Sequence, residues 1–520
     1  MEKSKADKIL DIATKRGFIY PSAEIYGSKA GFWTYGSLGT RIKHKWENVW
    51  RLYFLGLSNN FYEIEDCNIL PKQVFKSSGH LDNFNDPLTQ CEKCNFRFKA
   101  DQLVESELDK KGAVAESGDF GEILEKGLGG KNAKELDSLI KHYKIKCLNC
   151  KGNLSDVKFF NMMFDVKVGV TGDDVMYLRP ESAQSPYLAF KREFEANRRK
   201  LPLGLASVGR VFRNEISPRQ GFFRLREFNQ AELQIFFDSE KINEHDNFNE
   251  VKNYSLLVYL DSDKKIKKVS CKELNEKLKI PKFYVYYMAK VQQFYLDILM
   301  IPEKLFRFRE LDDKERAFYN KIHFDIELNL DNLGGWKEAG GVHYRSDHDL
   351  GGHQLGSGEK LEVSIDENNK VKKFIPHVLE LSFGVDRNIW ALLDIFFREE
   401  KERTLFEFPS LVLPIDIAVF PLMNKDGIPE FSEKFFSNLS KICHFNLSYD
   451  DSGSIGKRYR RQDEIGTKFC ITIDHESLKD NCVTIRDRDS MKQFRVSIDG
   501  IEGILHLVLR MCKKLEVVAK

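Results

Sequence analysis

GRVFRNEISPRQGFFRLREFNQAELQIFF, from Gly209 to Phe237, decides the fold. Two stretches rich in β-branched and aromatic residues flank a loop containing Pro218 and Gly221, which predicts a pair of strands joined by a connection. Successive side chains of a strand point to opposite faces. Arg213 and Glu215 therefore leave one face of the first strand together, and Arg224, Phe228, Gln230 and Glu232 share parity on the second. One sheet face would gather guanidiniums, an aromatic ring and carboxylates. Guanidiniums present a planar fork to phosphate oxygens. A ring can stack on a base, and a carboxylate can receive an exocyclic amine or an ammonium. Charged residues alternating along a strand are often only a solvated face. Here six functional side chains fall in register on one unit, and together they describe an ATP site with room for an amine-bearing second substrate.

Working outward, SLGTRIKHKWENVWRLYFL from Ser37 has apolar residues at three- and four-residue steps and predicts a helix. FYEIEDCNIL, from Phe61, reads as a strand running into Pro71. MMFDVKVGV, LASVGRVFRNEI and FNQAELQIFF are further strand-like stretches, as are GGVHYRSDHDL and FIPHVLELSFG. Residues 105–146 are charged and glycine-dotted and read as an insertion with some helix. Residues 250–320 carry a Lys-rich turn and then the helical YMAKVQQFYLDILM, a second insertion. After the charged run REEKER a boundary falls near Pro409. Beyond it, LVLPIDIAVFPL, an amphipathic helix, FCITIDH and CVTIRDRD alternate as a small α/β unit.

The chain has 520 residues, which calls for more than one core. It is 42% hydrophobic and 31% charged, values of a packed globular protein. A net charge of +2 gives no global basic field, so any RNA surface must be a local patch. IGKRYRRQDEIG, with Lys457, Arg458, Arg460 and Arg461, is such a patch. KKIKKVSCKE, in the second insertion, is a weaker candidate and reads more readily as an exposed Lys-rich turn. No apolar run approaches the roughly 18–20 residues that span a bilayer, so no membrane partner is expected. The opening MEKSKADKILDIATKRGF has no signal-type apolar region, and its acids argue against a transit peptide, so a cytoplasmic location is expected. Ten cysteines are ordinary usage there, as thiols rather than disulfides. Four of them form CEKC (Cys91, Cys94) and CLNC (Cys147, Cys150), two chelating loops suited to a tetrahedral structural zinc. The other reading is four reduced cysteines in a core.

The FRNE and RLREF of the opening segment resemble motif 2 of the class II aminoacyl-tRNA synthetases. PHVLELSFGVDRNIWALL resembles their motif 3, a strand and glycine turn leading to an arginine that opens a helix. The Ser37 helix and the stretch to Pro71 resemble motif 1, the dimer interface of that class. RGFIYPSAEIYGSKAGFWTYGSLG, SGHLDNF, LRPESAQ, RNEISPRQGFFRLREF and ELSFGVDR are similar to the glycyl-tRNA synthetases of the eukaryotic and archaeal homodimeric type, over nearly the whole chain. The resemblance implies an α+β fold: a class II catalytic domain with an antiparallel sheet over 1–408, interrupted at 91–150 and 245–320, and an anticodon-binding α/β domain over 409–520. Motifs 1, 2 and 3 would lie at about 37–71, 209–237 and 376–396.

The resemblance also implies roles. Arg213 and Arg387 would be catalytic, binding the α- and γ-phosphates of ATP. Asn214, Glu215, Arg224, Leu225, Phe228, Glu338 and Ala339 would complete the ATP site, with Glu215 reading the adenine amine, Phe228 stacking on adenine and Glu338 approaching magnesium. Glycine would meet Glu181, Glu232, Glu380, Ser382 and Lys99, with Arg345 on its carboxylate. Lys457, Arg458, Arg460 and Arg461 would contact glycine tRNA, with KKIKKVSCKE a weaker candidate for its acceptor arm. Two departures stand out. Lys99-Ala100-Asp101-Gln102 replaces the family's Arg-Ala-Asp-His, and lysine keeps the charge but loses the bidentate fork. Leu381 replaces the proline of the family's Glu-Pro-Ser. The implied activity is glycine–tRNA ligation. The competing reading is a non-catalytic synthetase relative, such as the accessory subunit of mitochondrial DNA polymerase. That protein has lost the ATP motifs, whereas Arg213, Glu215, Phe228 and Arg387 all remain here.

Overall fold

The alternation of Gly209–Phe237 is realised as two neighbouring strands toward one side of a nine-stranded sheet in a computed structural model, which describes residues 3–111, 132–216, 218, 221–260, 262–311, 320–367, 370–442 and 445–509. Its strands are β1 (Phe61–Glu63), β2 (Leu203–Phe212), β3 (Glu227–Phe237), β4 (Ser255–Leu260), β5 (Lys265–Ser270), β6 (Phe306–Glu310), β7 (Ile322–Leu330), β8 (Gly335–Ser346) and β9 (His377–Gly384). They lie in the order β5–β4–β6–β7–β8–β9–β3–β2–β1. β4 with β6 and β1 with β2 are parallel, and the other neighbours are antiparallel. The fold is α+β, as expected.

One face of the sheet is apolar. Ala231, Leu233 and Ile235 of β3, Leu381 and Phe383 of β9, and Val342 of β8 are all buried. Helix α1 (Ser37–Leu55) supplies Ile42, Trp46, Trp50 and Phe54 against this core, a stripe of four-residue steps that one helix face can bury whole. Phe383 meets the rings of Trp46, Trp50 and Phe54 at 6.5, 5.9 and 4.9 Å. Each such fully buried large side chain contributes about 1.5–3 kcal/mol of transfer free energy. The opposite face stays polar and carries the site. Helix α2 (Val385–Ile395) starts where β9 ends and is buried along its length.

Three expectations change in detail. The stretch from Phe61 to Pro71 is two strands, not one. Asp66 accepts the Cys67 amide at 2.8 Å in the turn between them, and Ile69–Pro71 pairs with Asp174–Leu178 in a separate three-stranded sheet. β2 ends at Phe212, so Arg213 and Glu215 lie just past the strand rather than on its face. The Lys-rich second insertion supplies β4, β5 and β6, which widen the main sheet. The centre of the first insertion, 112–131, lies outside the described residues. Helices Ala100–Lys111 and Ala133–His142 stand on either side of it and share a small core with the cysteine loops.

Beyond Pro409, β10 (Ile417–Pro421), β11 (Leu447–Tyr449), β12 (Phe469–Ile473), β13 (Cys482–Asp487) and β14 (Gln493–Ser497) form a mixed sheet in the order β11–β10–β12–β13–β14. Helices α3 (Ile428–Ile442) and α4 (Ile455–Ile465) pack on it. This unit is tied to the main one by Lys45 Nζ of α1 on Asp416 Oδ1 at 2.6 Å and by Arg16 on Glu464 at 2.6 Å.

Candidate active site

Register assembles the polar face. On β3, Glu232 stands opposite Ser207 of β2 and Ser382 of β9, and Gln234 stands opposite Glu380. On β8, His343 and Gly341 stand opposite Glu380 and Ser382. His323 and Asp325 of β7 continue the same rows. The parity that joins Phe228, Gln230 and Glu232 in the sequence is the parity of this face.

At one end, arginines and rings form a cleft lined by Arg213, Glu215, Phe223, Arg224, Leu225, Phe228 and Arg387. Arg213 donates its amide to Arg226 O at 2.8 Å and its Nε to Pro180 O at 3.0 Å. That leaves its guanidinium between the rings of Phe84 and Phe228, 5.5 and 5.2 Å from their centres. Glu215 receives Arg224 through Nε at 2.8 Å and Nη2 at 2.6 Å. Arg387, in the first turn of α2, meets Glu338 Oε1 at 2.9 Å and lies over Phe223 at 5.3 Å. Asp386 beside it accepts Tyr35 Oη at 2.5 Å and the Asn229 amide, so it joins β3 to the start of α2. Asn214 donates its amide to Met162 O at 2.8 Å, and Ala339 O accepts Asn388 Nδ2 at 3.1 Å. Both are held as backbone.

Next to the cleft is a buried group of acids. Glu232 accepts Ser182 Oγ and Ser382 Oγ, each at 2.8 Å. Arg345, only 1% exposed, is the hub of the rest. Its Nε meets Asp349 Oδ2 at 2.8 Å, its Nη1 meets Glu380 Oε2 at 2.9 Å, and its Nη2 meets Asp349 Oδ1 at 3.0 Å and Glu181 Oε1 at 3.3 Å. The Tyr187 ring lies 5.4 Å from the guanidinium. Arg345 is therefore surrounded by this chain's own carboxylates and is not an open partner for a substrate carboxylate. That corrects the sequence expectation. Asp349, four residues later in the sequence, was the available signal.

Burial alone would raise all these carboxyls. At Glu181 the Arg345 guanidinium and the hydrogen bond from His80 outweigh it and hold the group well below the carboxylate range. At Glu380, Arg345 and His343 outweigh it and hold the group at about 2. At Glu232 burial is reinforced by the charges of Glu380 and Glu181, and the group is pushed up to about 8.

Lys99 does not join this group. Among the described residues it pairs with Asp86 Oδ1 at 2.8 Å and Asp101 Oδ2 at 3.7 Å, within the cysteine-flanked unit. That unit reaches the arginine cleft through Gln102 Oε1, which accepts Arg224 Nη1 at 3.4 Å. In the same unit the Sγ atoms of Cys91, Cys94, Cys147 and Cys150 all lie within 4.8 Å of one another. Cys91–Cys150 and Cys94–Cys147 are 3.5 and 3.6 Å apart. Disulfides need about 2.05 Å. A tetrahedron drawn with Zn–S of about 2.3 Å has edges of about 3.8 Å. The cradle is tight: a Cβ on Gly152 would stand 3.0 Å from Cys91 Sγ and 3.3 Å from Cys150 Sγ. The Cys94 amide donates to Cys91 Sγ, and this pulls the Cys91 thiol down to about 6, whereas at Cys94 the Phe96 backbone hydrogen bond is outweighed by desolvation and the neighbouring thiols, which push that thiol up to about 12. The residues fit the ion.

On α4, Arg458 is 2% exposed and donates to Pro421 O, Asp451 O and Gly453 O. It is a clamp inside the domain, which corrects its expected place in an RNA patch. Arg461 is half-committed, bidentate to Asp450 at 2.7 Å. Lys457 and Arg460 are exposed and have no carboxylate partner among the described residues.

Sequence reasoning missed Asp349, Tyr187, Gln234, His343, His80 and Asp386. Gln234 and His343 carried a signal, the strand parity of Glu232 and Arg345. His80, 3.4 Å from Glu181, carried none. A larger cavity of about 580 Å³, lined by Phe61, Arg199, Phe237, His245 and Tyr287 among others, holds none of the residues above.

Residues 164–396 match the tRNA synthetase class II core domain (G, H, P, S and T), and residues 416–506 match the anticodon binding domain. A glycine–tRNA ligase of Methanococcus vannielii is 36% identical over 96% of this chain and 98% of its own. One of Thermococcus gammatolerans has the same identity and coverage. Among solved structures, prolyl-tRNA synthetase from Cryptosporidium parvum complexed with L-proline and AMP aligns with a TM-score of 0.57 at 13% identity, covering 99% of this chain and 77% of that one, a likeness of fold. Identity at this level along nearly the full length of both chains places the protein in a family: it belongs to the glycine–tRNA ligases, within the class II tRNA synthetases.

Proposed function

We propose that the protein activates glycine with ATP to glycyl-adenylate and pyrophosphate, and then transfers glycine to the 3′ end of glycine tRNA. The observation that carries this reading is the joining, on one sheet face, of a cleft of arginines and rings to a buried pocket whose free polarity is acidic. The cleft suits a nucleoside triphosphate. The pocket suits an ammonium with nothing larger than hydrogen beyond its Cα. Selecting glycine by exclusion is effective because extra atoms must overpack a closed site, whereas a roomy site rejects a smaller substrate only weakly.

Roles follow from position. Phe228 stacks on adenine, and Glu215, held by Arg224, reads the exocyclic amine. Arg224 and Arg387 hold the outer phosphates, and Arg387 gains from the positive end of α2. Glu338 would hold magnesium, which supplies charge neutralisation at the phosphates when bound. Arg213 lies where the α-phosphate and the attacking carboxylate meet. The glycine carboxylate oxygen attacks the α-phosphorus in line, the bond to the bridging oxygen breaks, and pyrophosphate leaves with that electron pair. Arg213 stabilises the charge growing on the α-phosphate oxygens. The terminal ribose hydroxyl of tRNA then attacks the carbonyl, and AMP leaves. In the pocket, Glu232 faces the ammonium together with Glu181 and Glu380, while Arg345 fixes the latter two.

The four cysteines would hold a structural zinc, which would cross-link the two chelating loops of the unit bearing Gln102. Lys457 and Arg460 contact tRNA phosphates or anticodon bases. The protein pairs as a homodimer through the α1 region, where Leu52 is 81% exposed on a helix otherwise anchored in the core. No described helix is long and apolar enough to cross a membrane. We assign the protein to the cytoplasm, where its thiols stay reduced and its tRNA resides.

The test is glycine-dependent ATP–pyrophosphate exchange, with alanine and serine as controls, on wild type and Arg213→Ala. Exchange with glycine alone, falling about a thousandfold in the variant, is expected; loss of a preorganised oxyanion donor costs about 10²–10³. No exchange by folded protein supplied with magnesium and tRNA would instead favour the non-catalytic accessory reading.

A further inference from the structure

One ionisable side chain of the pocket has no part in the scheme above. His343 stands on β8 opposite Glu380, and its Nδ1 donates to Glu380 Oε1. The other oxygen, Oε2, receives Arg345 Nη1 at 2.9 Å and Gln234 Nε2 at 2.8 Å. Glu380 is thus gripped from two sides, and neither rotation nor withdrawal is open to it while both grips hold. The imidazole has room only because residue 341 is glycine: a Cβ there would stand 2.2 Å from His343 Nε2. Gly341 pairs with Ser382 on one side and Asp325 on the other, so the ring lies across the polar face beside the substrate acids. From β7, His323 meets it edge-on with ring centres 4.2 Å apart, and His323 Nε2 is 3.0 Å from Asp325 Oδ1. The titratable and charged groups facing the imidazole are Glu380 from β9, Arg345 and Glu338 of its own strand, and His323 and Asp325 from β7.

We propose that His343 is a positioning residue for glycine: by holding Glu380 Oε1 against the pull of Arg345 on Oε2, it fixes the carboxylate that receives the substrate ammonium, and Gly341 provides the space it occupies. The proposal rests on the glycine–tRNA ligase reading. It differs from the role of a buried histidine that merely satisfies a neighbour. A packing histidine would affect stability and every kinetic constant, whereas a positioning histidine acts on glycine selectively.

The experiment is pyrophosphate exchange with separate glycine and ATP titrations. Wild type is measured first. Absence of exchange there defeats the ligase reading itself and says nothing about His343. In an exchanging enzyme, His343→Ala is expected to raise the KM for glycine about tenfold, the loss of one charge-assisted hydrogen bond, with kcat and the KM for ATP within about threefold. His343→Asn, which keeps a donor, recovers part of the loss. Gly341→Ala displaces the ring and raises glycine KM by a similar factor. In the His343→Ala background the same change adds little, because the ring it would strike is gone. An unchanged glycine KM in His343→Ala overturns the proposal. So does a Gly341→Ala penalty of equal size in both backgrounds. If His343→Ala fails to fold, the comparison of Gly341→Ala with His343→Asn decides the question.

Discussion

Replacing Glu232 by glutamine should change glycine binding in a pH-dependent way that the structure sets in advance. Glu232 is buried between Ser182 and Ser382, and burial with the charges of Glu380 and Glu181 raises it to about 8. At pH 7 about nine-tenths of the unliganded enzyme then carries a proton there, and an arriving ammonium must displace it at a cost of about 1.4 kcal/mol. Glu181 and Glu380 are held low and stay ionised throughout. The apparent affinity for glycine should therefore rise about tenfold per pH unit below 8 and level off above it, about 25-fold in all between pH 6.5 and 8.5. His343, raised by Glu380 against its burial, loses its proton in the same direction and adds a smaller slope of the same sign. In Glu232→Gln the main slope disappears. The variant should bind glycine at least as poorly as wild type at pH 6.5 and at least about 25-fold worse at pH 8.5. Stability moves the opposite way. A carboxyl whose folded value lies above its unfolded one keeps a proton that the unfolded chain releases. Its cost to the fold starts near pH 4.5 and is complete above about 8. Glu232→Gln removes that cost, so without glycine the variant should melt higher than wild type at pH 8.5 and alike near pH 4.5. Exchange kinetics across pH, with melting curves at both ends, give both readings. A flat wild-type glycine profile, or a Glu232→Gln variant that keeps the wild-type slope, would refute the reasoning.

Arg458→Ala should lower the melting temperature of the C-terminal unit, because three carbonyls lose a buried charged donor at a cost of about 3 kcal/mol or more. Lys457→Ala with Arg460→Ala should leave both stability and pyrophosphate exchange alone, and should raise the KM for tRNA most at low salt; equal stability losses from the two sets would remove the distinction drawn between them. Metal analysis of purified protein should find one zinc per chain, lost in Cys91→Ser with Cys150→Ser; four freely titrating thiols and no metal would show the cradle to be a plain core. With the zinc removed, the KM for ATP should rise more than the KM for glycine, since Gln102 of that unit touches Arg224 and not the acids.

The order of elements was legible because the relevant signals are local. The stripe Ile42, Trp46, Trp50 and Phe54 announces its helix, and the parity of Phe228, Gln230 and Glu232 announces a functional face. What parity could not give was the end of β2, since nothing in VFRNE marks Phe212 as its last paired residue. Nor could it show that the Lys-rich insertion supplies strands to the main sheet. An edge strand with exposed lysines reads like a solvated turn until its partners are known. At the site, residue types were legible and their partners were not. Arg345 reads as a cation available to a substrate, and Arg458 reads as one of four basic residues on a helix. Both prove to be buried and already engaged within the chain, which depends on contacts distant in sequence, such as Arg345 with Glu181 and Arg458 with Pro421. Charge sign can be read from one chain; whether a charge is already spoken for cannot.

The saturation of Arg345 bears on how a substrate without a side chain is chosen. Glu181, Glu380 and Asp349 bond one guanidinium, Glu232 lies close enough to feel the charges of Glu380 and Glu181, and His343 presses on Glu380 from its other side. Four ionised carboxylates against those partners would leave the pocket short of positive charge in a medium that screens it poorly. The empty pocket answers by keeping Glu232 protonated. On the proposed reading a small ammonium would supply the missing charge and let Glu232 ionise, so the gain on binding would be electrostatic and owe nothing to contacts beyond Cα. A neutral analogue of the same shape would forfeit that gain, and a larger amino acid would have to displace the serine hydroxyls that define the walls around Glu232. Selectivity then has two independent sources, charge completion for the ammonium and overpacking against a side chain. The first should fade as pH falls through the range in which Glu232 keeps its proton, while the second should not change with pH. Discrimination of glycine from alanine should therefore stay constant across the same pH range in which affinity for glycine changes about 25-fold.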